Sequence, residues 1–182
     1  AFIFYLGVPF LNLAWVKVLR GLLKSPIASG KSYPKWSRAH LHVWWLDSQQ
    51  RSVLQPMGRW LRAPGIYAWL LRALGANIGK RTHISQSAEF LGPLNMLTFK
   101  DDVVVQSGAQ ISSQRWQGDR LIVGKVSVGK GTKVGQRALL GPGVTLGQYC
   151  WLTPLSATRQ EAIIGDYQMI DGVNVDPVGS CM

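Results

Sequence analysis

An aliphatic residue returns at every sixth position between residues 122 and 152, and glycine follows it four times in succession. A period of six is neither the repeat of an α-helix nor the alternation of a half-buried strand. It is typical of a parallel β-helix, in which each hexad supplies one short strand and one turn. The alternative is a glycine-rich loop with chance aliphatics, which so many residues in phase disfavour. The pattern therefore predicts stacked coils of three hexads each around a narrow aliphatic core.

The same phase extends towards the N-terminus with two interruptions. It slips by three after residue 90, which predicts a bulge over residues 93–98, and it breaks at residues 113–121. Beyond residue 156 the pattern thins, but Ile164 and Ile170 indicate a further, irregular turn. We predict an all-β domain of about four coils with the core residues Ile78, Ile84, Phe90, Phe99, Val105, Ile111, Ile122, Val128, Val134, Leu140, Leu146 and Leu152.

The first 16 residues are apolar except for Asn12, and basic residues follow at Lys17 and Arg20. A spanning helix needs about 20 apolar residues. Because the chain starts inside the apolar run, we expect residues 1–23 to be the end portion of a transmembrane helix with its basic flank on the cytoplasmic side. A secretory signal would carry its basic residues before the apolar run. A buried core helix is the remaining alternative.

Residues 24–76 predict a linker followed by short amphipathic helices. Pro26, Gly30 and Pro34 break regular structure in the linker. Two short helices are expected over residues 53–74, separated near Pro64. They fit a membrane surface and also a cap on the open end of the β-helix, and both roles are compatible. The predicted organisation is a membrane helix (1–23), a linker with interfacial helices (24–76), the β-helix (77–170) and a tail (171–182).

The formal net charge of +11 is unevenly distributed along the chain. Residues 1–81 contain twelve Lys and Arg against one acid, Asp47, together with six of the eight Trp. Basic residues mixed with Trp beside an apolar run favour the membrane–water interface, where indoles lie at headgroup depth. Nucleic acid is the competing partner of a basic chain, but no nucleic-acid motif is present and the basic region is too apolar.

The hexads resemble those of the hexapeptide-repeat acyltransferases, which implies that the β-helix is left-handed. A narrower resemblance rests on a basic-aromatic segment at residues 33–47, LLRALGANIG at 70–79, and Asp101-Asp102 before GPGVTLG at 141–147. In this order, residues 33–158 are similar to the membrane C-terminal region of nonribosomal-peptide-synthetase-like proteins such as ε-poly-lysine synthetase. This resemblance implies β-helix modules alternating with transmembrane helices, downstream of adenylation and carrier domains that this chain does not contain.

The acyltransferase resemblance implies a catalytic histidine in a loop that projects from the coil, here the break in the hexads. The matching position is Gln114, which cannot accept a proton at neutral pH and can only orient a substrate. His83 is the second weak catalytic candidate, with a structural turn histidine as the alternative. Arg115, Trp116 and Asp119 are candidate substrate-binding residues for an anionic or planar group, unless they form a solvated surface loop.

No metal site is predicted. The zinc-binding branch of this fold needs three histidines, and the coil region contains only His83. His40 and His42 are two residues apart, so they share a face only on a strand, and no third ligand is near. Cys150 lies inside a hexad and is expected to be a buried thiol. Together with Cys181 it makes no disulfide framework.

Two functions remain open, and with them whether the chain is an enzyme. The first is a membrane-associated acyltransferase-like domain of a synthetase, without its own catalytic histidine, whose donor is coenzyme A or a carrier-bound phosphopantetheine thioester. The second is a non-catalytic scaffold subunit of a larger membrane complex. Either function implies membrane lipid and other modules or subunits as partners, and a β-helix on the basic, cytoplasmic or stromal-type side of the membrane.

Overall fold

A computed structural model describes residues 27–60 and 64–172, together with four isolated positions near the N-terminus. Apart from an antiparallel hairpin over residues 114–123, consecutive strands from residue 77 onwards belong to different parallel sheets, so that the chain passes through three sheets in turn as it coils. This is the arrangement of a parallel β-helix, and it confirms the fold predicted from the hexads. Strands and helices are numbered below in chain order.

The strands of each sheet stack one coil apart. The first sheet contains β2 (Asn77–Ile78), β5 (Leu97–Phe99), β10 (Val126–Val128), β13 (Thr145–Leu146) and β15 (Ile163–Ile164). The second contains β3 (His83–Ile84), β6 (Val104–Val105), β11 (Lys133–Val134), β14 (Trp151–Leu152) and β16 (Met169–Ile170). The third contains β4 (Glu89–Leu91), β7 (Gln110–Ser112) and β12 (Leu139–Leu140), and Ala157 adds a single bridge to Leu139.

The core of the β-helix is a column of aliphatic and aromatic side chains. In the first sheet, Val128 is paired with Phe99 on one side and with Leu146 on the other, and all three are buried. Strands β15 and β16 bring Ile164 and Ile170 into the same core, which confirms the predicted fifth, irregular turn. The hexad pattern thus identifies the inward positions, because only one residue per short strand points to the axis.

One predicted core residue is wrong. Ile122 lies outside the coil, in an antiparallel hairpin formed by β8 (Gln114–Gln117) and β9 (Arg120–Val123). We call this hairpin the arm. The regular coil resumes only at Val126, so the aliphatic at 122 is in phase by coincidence. In the arm the buried residues are its neighbours, Leu121 and Val123, since alternate strand residues point to opposite faces.

The segment predicted as a linker contributes a strand and a long helix. Strand β1 (Lys31–Pro34) pairs antiparallel with β9 of the arm, and helix α1 (Arg38–Trp60) follows. The hydroxyl of Ser37 accepts a hydrogen bond from the backbone N–H of His40 at 3.1 Å, which caps the start of the helix. The aromatic run at residues 40–46 therefore belongs to a helix of 23 residues.

Helix α1 packs its buried face on the arm and on the bulge between the first two coils. Val43 and Leu46 cluster with Leu121 and Val123 of β9. The bulge contains the single 3-10 turn Leu94–Met96, and the side chain of Gln50 accepts a hydrogen bond from the backbone N–H of Leu94 at 3.2 Å. Helix α1 is thus hydrogen-bonded to the β-helix at the predicted bulge over residues 93–98.

Helix α2 (Pro64–Ala73) covers the first coil. Tyr67, Leu70, Leu71 and Leu74 are buried and belong to the β-helix core cluster. These side chains cover the end of the β-helix where the core would otherwise meet solvent. This helix therefore acts as the cap that the sequence predicts. Its opposite face remains exposed at Ile66 and Trp69.

The transmembrane helix predicted for residues 1–23 lies almost entirely outside the described residues. Among the described residues, no helix combines the length and the apolar character that crossing a bilayer requires.

The burial of Tyr67 in the cap predicts a dependence of folding stability on pH. Burial raises the pKa of Tyr67 to about 12, whereas tyrosine in an unfolded chain ionises near pH ~10. Between these values the unfolded state has lost a proton that the folded state retains, so stability should fall as the pH rises. A shift of this size corresponds to about 2–3 kcal/mol.

The measurement compares urea unfolding of the natural chain and Tyr67→Phe at pH ~9 and pH ~11.5. The phenylalanine variant should lose less stability over this interval, because it removes the shifted group and leaves the lysines unchanged. Equal losses in the two proteins would mean that the Tyr67 hydroxyl is not buried in the cap.

Candidate functional site

An open groove of about 820 Å³ runs along the third sheet, beside the base of the arm. It is lined by residues of β4, β7 and β12, by the first residues of the arm, and by the turns after β12 and around Ala157. The lining residues are Leu91, Gln110, Ser112, Gln114, Arg115, Leu139, Leu140, Gly141, Pro142, Ala157, Thr158, Arg159 and Gln160. The groove therefore joins the coil to the arm, the segment in which the sequence places the candidate site residues.

Strand alternation explains which side chains reach the groove. In β7, Ile111 points into the core and is fully buried, so Gln110 and Ser112 on either side point outwards. Gln110 lies opposite Leu139 in the parallel pairing of β7 with β12. One wall of the groove thus combines the polar side chains of β7 with the exposed aliphatic side chain of Leu139.

The base of the arm is fixed by hydrogen bonds of two serines. The hydroxyl of Ser113 is buried and donates to the carbonyl oxygens of Leu91 and Pro93, at 3.2 and 3.1 Å. The hydroxyl of Ser112 donates to the carbonyl oxygen of Gln114. The backbone of Gln114 is therefore held in place where the chain leaves the coil.

The side chain of Gln114 packs tightly against the first coil. A Cβ atom at Gly92 would lie 2.8 Å from Cγ of Gln114, and Gly92 has a φ of +89°, so only glycine fits this turn. The Oε1 atom of Gln114 is buried and accepts no hydrogen bond from a described residue. A buried acceptor without a donor costs about 1–3 kcal/mol. A ligand N–H or O–H that donated to this oxygen would offset that cost.

The groove is electrostatically one-sided. Arg115 and Arg159 are exposed on it, and its lining contains amides, hydroxyls and aliphatic groups but no carboxylate. Two acidic residues border the lining: Glu89 accepts a hydrogen bond from the Gln110 amide at 3.5 Å, and the backbone N–H of Glu161 donates to the carbonyl oxygen of Pro142 at 3.1 Å. This combination suits a ligand that carries negative charge at one part and amide and methylene groups at another.

The remaining candidates of the arm lie away from the groove. The Trp116 ring meets the His40 imidazole edge to face, with ring centroids 5.0 Å apart. Asp119 is in the turn at the tip, where its carbonyl oxygen accepts the backbone N–H of Lys35 at 3.0 Å. The structure thus brings Gln114 and Arg115 together in the groove and places Trp116 and Asp119 on the contact with β1 and helix α1.

His83 is on another side of the β-helix. It belongs to β3 in the second sheet, where it is exposed and lies opposite Val104, and it does not line the groove. His40 is the histidine that contacts the arm, although its Nδ1 atom is occupied as acceptor for the Trp36 backbone N–H at 3.1 Å. Among the described residues, no group of three or more His, Cys, Asp or Glu side chains is arranged to hold a metal ion.

Sequence reasoning missed several residues of this site. Arg159, Gln160 and Thr158 lie beyond the clean hexads and carry no motif. They reach the groove only because the fourth coil stacks them below Leu139 and Gly141. His40 likewise reaches the arm through the packing of helix α1, for which the hexad pattern contains no signal.

Cys150 is buried beneath the turn that follows β13, as expected from its place in the hexad. Its Sγ atom donates to the carbonyl oxygen of Gly165 at 3.0 Å. Burial raises the pKa of the Cys150 thiol. A buried thiol with a raised pKa is a poor nucleophile at neutral pH, so Cys150 is a packing residue rather than part of the site.

No protein-family model matches the sequence, and no curated protein matches it. Solved structures match the fold. A hexapeptide-repeat acetyltransferase from Vibrio cholerae is 14% identical, with a TM-score of 0.58 over 82% of this chain and 96% of that chain. Its complex with acetyl coenzyme A gives 13% identity and a TM-score of 0.59 over 91% and 98% of the two chains. A maltose O-acetyltransferase from Clostridium difficile 630 gives 14% identity and a TM-score of 0.55 over 77% and 87%.

These similarities show a shared fold. The parallel sheets and the acetyltransferase structures together fit the left-handed β-helix that the resemblance to hexapeptide-repeat acyltransferases implies. The narrower resemblance to nonribosomal-peptide-synthetase-like proteins stays a prediction.

Proposed function

We propose that this chain is an acyltransferase-like domain whose groove holds the acyl thioester of coenzyme A or of a carrier-bound phosphopantetheine. The observation that carries the proposal is the groove itself, with two arginines, several amides and no carboxylate on the outer face of a hexapeptide-repeat β-helix. The acetyltransferase of Vibrio cholerae, which has the same fold, is known in complex with acetyl coenzyme A. That complex makes a thioester of this type the first ligand to test.

The chemistry of the ligand matches the lining of the groove part by part. Arg115 and Arg159 offer planar, permanently charged guanidinium groups for phosphate oxygens. The amides of a pantetheine arm need donors and acceptors along the coil, and its methylenes need aliphatic contacts. The groove provides both kinds of group in Gln110, Ser112, Leu139, Pro142, Ala157, Thr158 and Gln160.

The groove contains no general base. In acyl transfer, an amine or hydroxyl attacks the thioester carbonyl, the carbon–sulfur bond breaks, and the proton lost by the nucleophile ends on the departing thiolate. A histidine normally carries that proton, and the lining residues include none. We infer that this chain positions the thioester through Gln114, while another module or subunit supplies the base.

The proposal includes the membrane setting. The basic and Trp-rich first part of the chain supports contact with membrane lipid, and the narrower resemblance supports a synthetase with further modules as partners. In this setting the β-helix lies on the basic, cytoplasmic or stromal-type side.

A non-catalytic scaffold is the second candidate function. It is favoured by the absence of His, Cys, Asp and Glu from the residues that line the groove. A scaffold would retain the β-helix and its membrane contact, but it would have no need to bind a thioester. Binding of the donor therefore separates the two functions.

We expect calorimetric titration to detect binding of coenzyme A, and Arg159→Glu to weaken that binding roughly tenfold to hundredfold, because a charge-assisted contact to phosphate is worth about 1.5–3 kcal/mol. Arg137→Glu is the control. Arg137 is also exposed and carries the same charge, but it lies outside the groove. Its replacement should leave the affinity within about twofold, apart from long-range effects that salt screens.

Two results would contradict the thioester proposal. One is the absence of any heat of binding to coenzyme A or acetyl coenzyme A with the natural chain. The other is an equal loss of affinity in the two arginine variants, which would mean that coenzyme A responds to the net charge and not to the groove. Either result would favour the scaffold.

A further inference from the structure

The turn before helix α1 and the first turns of the helix carry a patch of exposed tryptophan and leucine. Trp36, Leu41 and Trp44 are 74%, 48% and 63% exposed. On a helix surface, residues three and four apart are neighbours, so Leu41 and Trp44 adjoin each other. The Trp36 ring reaches the same row through His40, at a centroid distance of 6.1 Å. We call Trp36, Leu41 and Trp44 the aromatic patch.

The patch faces away from the core. The opposite side of the helix is buried at Ala39, Val43, Leu46, Gln50 and Val53, where it packs on the arm and the first coil. Helical periodicity therefore leaves the patch without a partner inside the described part of the chain. Exposed apolar clusters of this kind mark a surface that binds something.

The charge around the patch is positive. Lys35, just before the helix, and Arg38, in its first turn, are exposed. The backbone of Asp119 accepts the N–H of Lys35 at 3.0 Å, but among the described residues neither Lys35 nor Arg38 forms an ion pair with a carboxylate. Asp47 is engaged by Arg51 at 3.0 Å and by the backbone N–H of Gly92 at 3.3 Å. Tryptophan flanked by uncompensated Lys and Arg complements the headgroup region of an anionic bilayer, where indoles and basic groups lie at the same depth.

We propose that the aromatic patch is the surface by which this domain docks on a bilayer that contains anionic phospholipid. The helix lies in the interface plane, with Leu41 and Trp44 among the headgroups and with Lys35 and Arg38 on lipid phosphates. This inference rests on the membrane association proposed above and assigns it to one face. The occupant is a lipid surface, because Lys35 and Arg38 lie beside the apolar residues and form no ion pair among the described residues.

The patch also lies next to the arm. His40, whose ring meets that of Trp36, also contacts Trp116 of β8 at 5.0 Å between ring centroids. Arg115 of the same strand lines the groove. Docking through the patch therefore holds the arm close to the membrane surface.

The test measures the depth of one position at a time, so that any other membrane anchor of the chain does not obscure the result. Leu41→Cys and Leu155→Cys are prepared in the Cys181→Ser chain and labelled with an environment-sensitive fluorophore. Leu155 is the control, because it is 68% exposed but lies on the β-helix. Cys150 stays in place, since its buried thiol reacts slowly.

The chains are added to vesicles of phosphatidylcholine and phosphatidylglycerol in equimolar amounts, with nitroxide-labelled lipid as quencher. We expect quenching of the label at residue 41 and none at residue 155. Lys35→Glu and Arg38→Glu are each added to the Leu41→Cys chain. Each should raise the lipid concentration needed for half-maximal quenching by at least about fivefold, which is the effect of one basic residue near an anionic surface. Pure phosphatidylcholine should give little quenching at either position.

The proposal is overturned if the label at residue 41 is not quenched, if both positions are quenched alike, or if the two lipid compositions give the same result. None of these outcomes bears on the groove, because binding of coenzyme A is measured without membranes. A chain that binds coenzyme A but shows no quenching at residue 41 would retain the thioester proposal and lose this one.

Discussion

Replacing Gly129 with alanine should destabilise the β-helix severely, whereas the same replacement at Gly165 should be tolerated. A Cβ atom at residue 129 would lie 2.1 Å from the carbonyl oxygen of Gly147 in the next coil. That oxygen belongs to backbone fixed by the hydrogen bond from the Gly147 N–H to Ile164 at 2.9 Å. Relieving the clash means separating two coils, so we expect a loss of about 3 kcal/mol or more.

Gly165 is the matched position. It follows β15 as Gly129 follows β10, and the two strands belong to the same sheet. The coil that contains Gly165 is the last one described, and a Cβ atom there would meet nothing within 4 Å. We therefore expect Gly165→Ala to change stability by less than about 1 kcal/mol, in either direction.

Urea unfolding followed by circular dichroism measures both variants. Similar stabilities for Gly129→Ala and Gly165→Ala would mean that the coils are not stacked at the spacing described. A large loss at Gly165 alone would mean that a further coil or another partner packs below it.

Introducing a histidine at residue 114 should create a measurable acyl-transfer activity. Gln114 lies at the base of the arm and in the groove, at the position where the resemblance places the general base of the acyltransferases. A positioned base contributes about a hundredfold or more to proton transfer. With water as the acyl acceptor, the products are acetate and free coenzyme A, whose thiolate takes up the proton lost by the attacking water. We expect Gln114→His to accelerate this release of coenzyme A from acetyl coenzyme A by about a hundredfold over the natural chain.

Gln110→His provides the control for this prediction. It makes the same replacement on β7, in the same groove but outside the arm, and it should leave the rate close to that of the natural chain. Equal acceleration in both variants would indicate an unspecific effect of imidazole. Unchanged rates with intact binding of coenzyme A would place the thioester carbon away from residue 114.

The β-helix is predictable from the sequence because its constraint is local. Each short strand has one inward position, such as Val134 or Leu152, and the narrow core accepts only an aliphatic or aromatic side chain there. The same constraint explains the error at Ile122. A hexad period cannot tell an aliphatic residue of the coil from one that is in phase by chance inside an inserted hairpin.

The groove and its surroundings are not predictable in this way. Strand β1 pairs with β9, far along the chain, and helix α1 is set on the arm by Leu121 and Val123. Such contacts depend on tertiary packing and leave no periodic signal. The sequence points to Gln114 and Arg115 because they lie in the break of the hexads, but Arg159 joins them only through coil stacking.

The most direct test of the thioester proposal is hydrogen exchange of the chain with and without saturating coenzyme A. We expect slower exchange at residues 110–115, 139–142 and 157–160, which form the groove. Exchange in the second sheet, at His83–Ile84 and Val104–Val105, should stay unchanged. Protection confined to the second sheet, or none at a concentration that saturates binding, would contradict the assignment of the groove as the thioester site.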